Sequence, residues 1–273
     1  MKTMKRLLFL FTVLFMFNTA IVAQEEAKRP EYITVATMYW NPDQEDFDMK
    51  TWKSIEKEYL DKVTSKNEHI MGAGFYLHQF TADNTELLYV QTYKDWDAID
   101  KSGARDGELA KEAWPDADAR KAFFKKRNAF YADKHSDEIY ATMSGAKVIT
   151  ENPGKDLTLY IRKSHFAFPE GGTQKEFSEL RKEYLENVIH KNDIIKAYYP
   201  SSHGWGSDST EFVEAFFVES LGDIDKMFDK NSELSKAHWP DEDARKEVGK
   251  KAGKYYTGVH SDFIYTFVHE LSK

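Results

Sequence analysis

The chain has 273 residues, 41% hydrophobic and 15% aromatic, with a formal charge of −8, which is enough apolar material for a sizeable core. The acidic balance argues against nucleic acid or an anionic membrane as a partner. The absence of cysteine excludes disulfides, thiolate metal sites and a thiol nucleophile.

Residues 1–23 read as a secretory signal: Lys2, Lys5 and Arg6 precede the mostly apolar run Leu7 to Phe17, and small residues from Ala20 to Ala23 offer a cleavage point. The apolar run is far shorter than the roughly 20 residues that span a bilayer. The expectation is a secreted or periplasmic protein of roughly 250 residues, free of the membrane after cleavage. Loss of the three signal cations takes its formal charge from −8 to −11.

Ile33 to Trp40 is a β-rich run. Trp52, Ile55, Tyr59, Leu60 and Val63 then recur near a period of 3.6, which predicts an amphipathic helix within residues 47–66. Strands follow at Ile70 to Phe80 and Glu86 to Tyr93, joined by the polar turn Ala82 to Thr85. A helix from Asp95 breaks at Trp114-Pro115 and resumes from Asp116 to about Asp133; Asp137 to Met143 reads as the fourth strand. The segment 150–156, with Asn152-Pro153-Gly154, reads as a linker between a first unit (24–149) and a second (157–273). The second unit repeats the order with strands at 157–166, 194–203, 211–219 and 262–269, a helix at 173–190 and a broken helix over 222–257.

The two units match residue by residue. WPDADARK at Trp114 to Lys121 recurs as WPDEDARK at Trp239 to Lys246, and HSDEIY at His135 recurs as HSDFIY at His260, each 125 positions apart. Such self-similarity marks a duplicated supersecondary unit that packs against its copy. The fold class is α+β, with tandem ferredoxin-like βαββαβ repeats. An antiparallel sheet with helices on one face needs cover on the other, and the copy supplies it. In element order and duplication the chain resembles the dimeric α/β-barrel superfamily, here as an intramolecular pseudo-dimeric barrel. That resemblance implies a central cavity where the copies meet. The superfamily spans cofactor-free monooxygenases, haem-binding and haem-degrading proteins, chlorite dismutase relatives and small lyases or isomerases, so the fold does not select the function.

Several residues could carry chemistry. Strand alternation puts Tyr76, His78 and Phe80 on one face, which makes His78 and its counterpart His203 candidates for the cavity, or else hydrogen-bonded core residues. His135 and His260 stand at the mouth of the last strand of each unit, either as general bases oriented by Asp137 and Asp262 or as caps. Tyr131 and Tyr256, four residues upstream of them, would act as proton donors. In the WPDxDARK block, proline with adjacent acidic residues suits a helix start, whereas Arg120 and Arg245 are forks for a carboxylate or sulfate. The copies diverge at Tyr160 and Arg162, which share a strand face, and at the glycine-rich loop Ser201 to Gly206 with Trp205; these suit substrate binding, or an edge strand and a surface loop.

These residues support an exported lyase or dehydratase that needs no cofactor or metal and uses His/Tyr acid-base chemistry on acidic, uronate-containing sugars or oligosaccharides, in a monomer or homodimer. The alternatives are a haem-binding or haem-degrading protein with an axial histidine, implied by the resemblance, and a non-catalytic binding module.

Overall fold

The computed structural model describes residues 29–149 and 153–273; the expected secretory signal and residues 150–152 of the expected linker lie outside the described residues. Repeat one runs β1 (Tyr32–Tyr39), α1 (Met49–Lys62), β2 (Ile70–Phe80), β3 (Glu86–Tyr93), α2 (Trp96–Ala113), α3 (Ala117–Asn128) and β4 (Ser136–Thr142). Repeat two runs β5 (Leu157–Phe166), α4 (Gln174–Tyr184), β6 (Ala197–Trp205), β7 (Glu211–Val218), α5 (Asp223–His238), α6 (Glu242–Gly253) and β8 (Tyr256–Phe267). No described helix is long and apolar enough to cross a membrane.

The repeated motifs explain the helix boundaries. Asp116 and Asp241 of the WPD blocks cap α3 and α6, each accepting from the backbone N–H three residues on at 2.7 Å. Arg120 and Arg245 then donate to the carbonyls of Trp114 and Trp239 at 2.8 and 2.7 Å, closing the break between successive helices. Buried Asn67 and Asn192 tie the end of each first helix region to the next, donating to the Ser102 and Met227 carbonyls at 2.9 and 3.0 Å.

Two sheets do more than cover each other. The strands close into one antiparallel barrel in the order β1-β3-β2-β8-β5-β7-β6-β4, with β2 pairing β8 and β4 pairing β6 across the repeats. Closure removes the sheet edges that either repeat alone would leave unpaired. At the β4–β6 seam a Cβ on Gly204 would lie 2.8 Å from the Ile139 carbonyl, so the close approach requires glycine.

Alternation along the strands defines two environments. Leu88, Leu157, Leu159, Ala197, Phe217 and Tyr265 point inward and form one cluster with Tyr76, Tyr199 and Phe267. The outward faces carry the helices: Trp52, Ile55, Phe75 and Leu87 pack in repeat one, and Tyr160, Leu185, Tyr198 and Phe216 in repeat two.

Among the boundaries that differ from the sequence reading, two have a local cause. β6 begins at Ala197, not Ile194, because the Ile194 N–H is taken by the Asn192 side chain at 3.0 Å. β8 begins at Tyr256, where a helix was expected to reach Thr257: Gly258 supplies φ +83°, and the Tyr256 ring stacks on Phe166 of β5 at 5.7 Å, extending the pairing.

Candidate functional site

The expected cavity at the meeting of the copies is corrected by the packing: the barrel interior is occupied by the inward aromatic and aliphatic cluster. A cavity of about 470 Å³ lies elsewhere, between the outward face of the repeat-two sheet and helices α4, α5 and α6. That volume is in the range of small-molecule sites.

Arg162 and Ser164 of β5, Tyr198 of β6, and Phe212 and Glu214 of β7 form its floor, and Tyr256 at the start of β8 its side. Phe177, Arg181 and Tyr184 come from α4, Trp239 and Arg245 from the α5–α6 break, and Val248, Gly249 and Ala252 from α6. Tyr198 donates to Glu214 Oε1 at 2.7 Å. Burial raises the Glu214 carboxyl above the usual carboxylate range, although the Tyr198 hydrogen bond and the charges of Arg181 and Arg162 oppose it. Glu214 retains some exposed surface, so it sits deep yet accessible from the cavity. Burial and the Glu214 charge push Tyr198 well above an ordinary phenol, and burial lifts Tyr184 to about 12.

Three arginines line the cavity, and each is anchored through one nitrogen. Arg162 Nε donates to Asp262 Oδ1 at 3.1 Å, Arg245 Nη1 to the Trp239 carbonyl, and Arg181 Nη1 to the Ser144 carbonyl at 2.9 Å. Arg181 Nη2 is buried and makes no hydrogen bond of standard geometry, although the Arg181 side chain lies within weak hydrogen-bonding reach of the Tyr198 hydroxyl and its charge acts on it. A buried donor left unpaired is uncommon and costly.

Repeat one fills the inner part of the same space and keeps an open groove at its mouth, lined by Tyr59, Ala110, Arg120 and Phe124, the counterparts of Tyr184, Ser235, Arg245 and Gly249. Phe123, Phe124 and Arg127 stand at the positions of Val248, Gly249 and Ala252. Trp114 stacks on Phe123 at 4.0 Å and is buried, whereas Trp239 is partly exposed. Arg127 Nε pairs with both oxygens of Glu56 at 2.9 and 3.0 Å; Tyr131 donates to Glu56 at 2.6 Å and receives the Trp52 indole N–H at 2.8 Å. Repeat two has Arg181 in place of Glu56 and Glu214 in place of Tyr89, which moves the buried carboxylate from helix to strand and leaves the helix arginine unpaired at Nη2.

Comparison with solved structures decides the fold. A monooxygenase-like protein from Fusobacterium nucleatum superposes with a TM-score of 0.53 at 14% identity, over 88% of this chain and 93% of that one. A chlorite dismutase variant from Candidatus Nitrospira defluvii superposes with a TM-score of 0.55 at 12% identity, over 91% and 97%. The chain has the dimeric α/β-barrel fold. A second monooxygenase-like barrel, from Lactobacillus acidophilus, has a TM-score of 0.51 at 10% identity, over 87% and 93%. No family model matches this barrel, and no curated protein matches it in sequence.

Within the barrel the sequence-predicted residues are dispersed. His78 is half-buried with Nδ1 2.8 Å from Thr81 Oγ1, and His203 is half-buried on β6 opposite Tyr140. His135 and His260 are exposed, each with Nε2 3.2 Å from Asp137 or Asp262. None of these histidines lines the cavity. Tyr131 is locked into the Glu56 network of repeat one, Arg120 borders a shallow groove beside α2 and α3, and Trp205 is exposed. Tyr256, Arg162 and Arg245 do line the cavity; Tyr160 stands behind Arg162, its hydroxyl donating to the same Asp262 oxygen at 2.5 Å. Partial burial opposes it, yet hydrogen bonds from Tyr160 and Arg162 hold Asp262 below the ordinary carboxylate range. Glu214, Arg181 and Tyr198 escaped sequence reasoning; the signal that could have found them is the large-to-small change on α6 between aligned repeats.

Proposed function

We propose that this barrel is a small-molecule enzyme with a single active cavity in repeat two, where Glu214 acts as proton acceptor and Tyr198 as the donor that holds it. One observation carries this reading: a carboxyl with a raised pKa, hydrogen-bonded to a buried tyrosine, faces a cavity whose inner part the sister repeat closes with side chains. A raised carboxyl pKa makes Glu214 a stronger base once ionised. The reaction class is removal of a proton from a carbon or oxygen acid seated over the β7 strand.

The monooxygenase and chlorite dismutase names among the structural neighbours favour redox or oxygen chemistry over sugar β-elimination. The histidines invoked for a lyase stand away from the cavity. Haem is the other cofactor the fold suggests, and the donor set does not fit it: no described histidine lines the cavity, and burial keeps the phenols of Tyr184, Tyr198 and Tyr256 protonated. A haem titration that gave no Soret band would agree with this.

The cavity reading is tested by screening small ring compounds against Trp fluorescence, with Trp239 in the cavity wall as reporter. Hits should change emission in the native protein and lose that response in Trp239→Phe. Silence from every compound in both the emission and thermal unfolding would reject the cavity as a ligand site.

A further inference from the structure

The arginines of the cavity are arranged for a specific kind of ligand. Arg162, Arg181 and Arg245 are each fixed by one hydrogen bond to the protein, which orients the guanidinium and leaves its other N–H groups for a ligand. Against them the cavity holds one acidic side chain, Glu214, whose burial favours its neutral form. The pocket is therefore electropositive within a chain of formal charge −8. Its remaining wall is apolar and aromatic, with Phe177, Leu180, Leu185, Phe212 and Trp239.

On the reading that this cavity is the ligand site, we propose that its ligand is an aromatic or similarly flat carboxylic acid, its carboxylate on the Arg181 guanidinium and its ring against the wall of Phe177 and Trp239. Arg181 Nη2 is a buried donor with no hydrogen bond of standard geometry, so a small turn of the guanidinium toward the cavity gives up little and gains a charged acceptor from a carboxylate. Repeat one supplies an internal precedent: there a carboxylate, Glu56, receives both an arginine and a tyrosine hydroxyl, the groups that Arg181 and Tyr256 bring to the repeat-two cavity.

The test compares 2-naphthoate with its neutral isostere 2-naphthamide, by calorimetry on the native protein and on Arg181→Gln and Arg181→Lys. The native protein should bind naphthoate at least about tenfold more tightly than naphthamide, the range for a hydrogen bond to a charged group. Arg181→Gln should erase that preference without weakening naphthamide, and Arg181→Lys should keep part of it. Equal affinities in the native protein, or a preference that survives Arg181→Gln, would overturn the carboxylate assignment while the cavity still binds rings. Failure of both compounds would reject the cavity reading itself, and this proposal with it. The native comparison stands even where a variant fails to fold.

Discussion

Arg127 and Glu56 form a two-pronged ion pair in the helix layer of repeat one, and at the two corresponding positions repeat two has Ala252 and Arg181. The Glu56 side chain is 1% exposed, so the pair is held away from water. Breaking such a pair strands a charge and costs about 3–5 kcal/mol. Arg127→Met should therefore lower stability to urea by that amount, whereas Ala252→Met, at the same place in repeat two, should shift it by less than about 1 kcal/mol. Similar costs at both positions would mean that the two helix layers are packed alike.

Glu214 provides a pH prediction. Burial raises its carboxyl pKa, so the folded state holds the proton more tightly than the unfolded chain does. The stabilisation from the neutral carboxyl is complete below the unfolded pKa of about 4.3 and is lost as pH rises through the higher folded value. Glu214→Gln should melt near the native Tm at about pH 4 and above it at about pH 8. A native protein more stable than Glu214→Gln at the higher pH would contradict a destabilised, ionisable Glu214.

Tyr198 acts on the same group. Its hydroxyl donates to Glu214 at 2.7 Å and favours the ionised form. Tyr198→Phe should push the Glu214 pKa further up, moving the acid limb of any pH–rate profile to higher pH, at a stability cost of about 1 kcal/mol. An unmoved acid limb would assign that limb to another group.

Asp116 and Asp241 cap equivalent helices with the same 2.7 Å hydrogen bond. Each Asp→Ala change should cost about 1 kcal/mol, and the double variant about twice that, since the caps lie in separate repeats. Marked non-additivity in thermal unfolding would indicate coupling between the two helix layers.

Much of the fold was legible because the duplicated motifs are punctuation: Trp-Pro-Asp breaks and caps a helix, and a buried Asn67 or Asn192 secures the turn that follows. The site was harder to read. Alternation correctly groups Tyr76 with His78, but it does not say which sheet face is hollow, and the face carrying Tyr76 is the packed barrel interior. The hollow is set by volumes contributed from another element, where Phe124 becomes Gly249 and Arg127 becomes Ala252. Strand divergence pointed to Arg162, which does line the cavity, whereas the exposed Trp205 does not.

The central claim is that repeat two carries one open site whose inner part repeat one has closed with its own side chains. It is tested most directly by a calorimetric titration of 2-naphthoate into the native chain and into a variant with Val248→Phe, Gly249→Phe and Ala252→Arg. A Cβ on Gly249 meets nothing within 4 Å, so the added bulk at that position has room to begin there. The account predicts one bound molecule per native chain and none in the filled variant, with thermal unfolding preserved. Native-like binding by a folded, filled variant would contradict it.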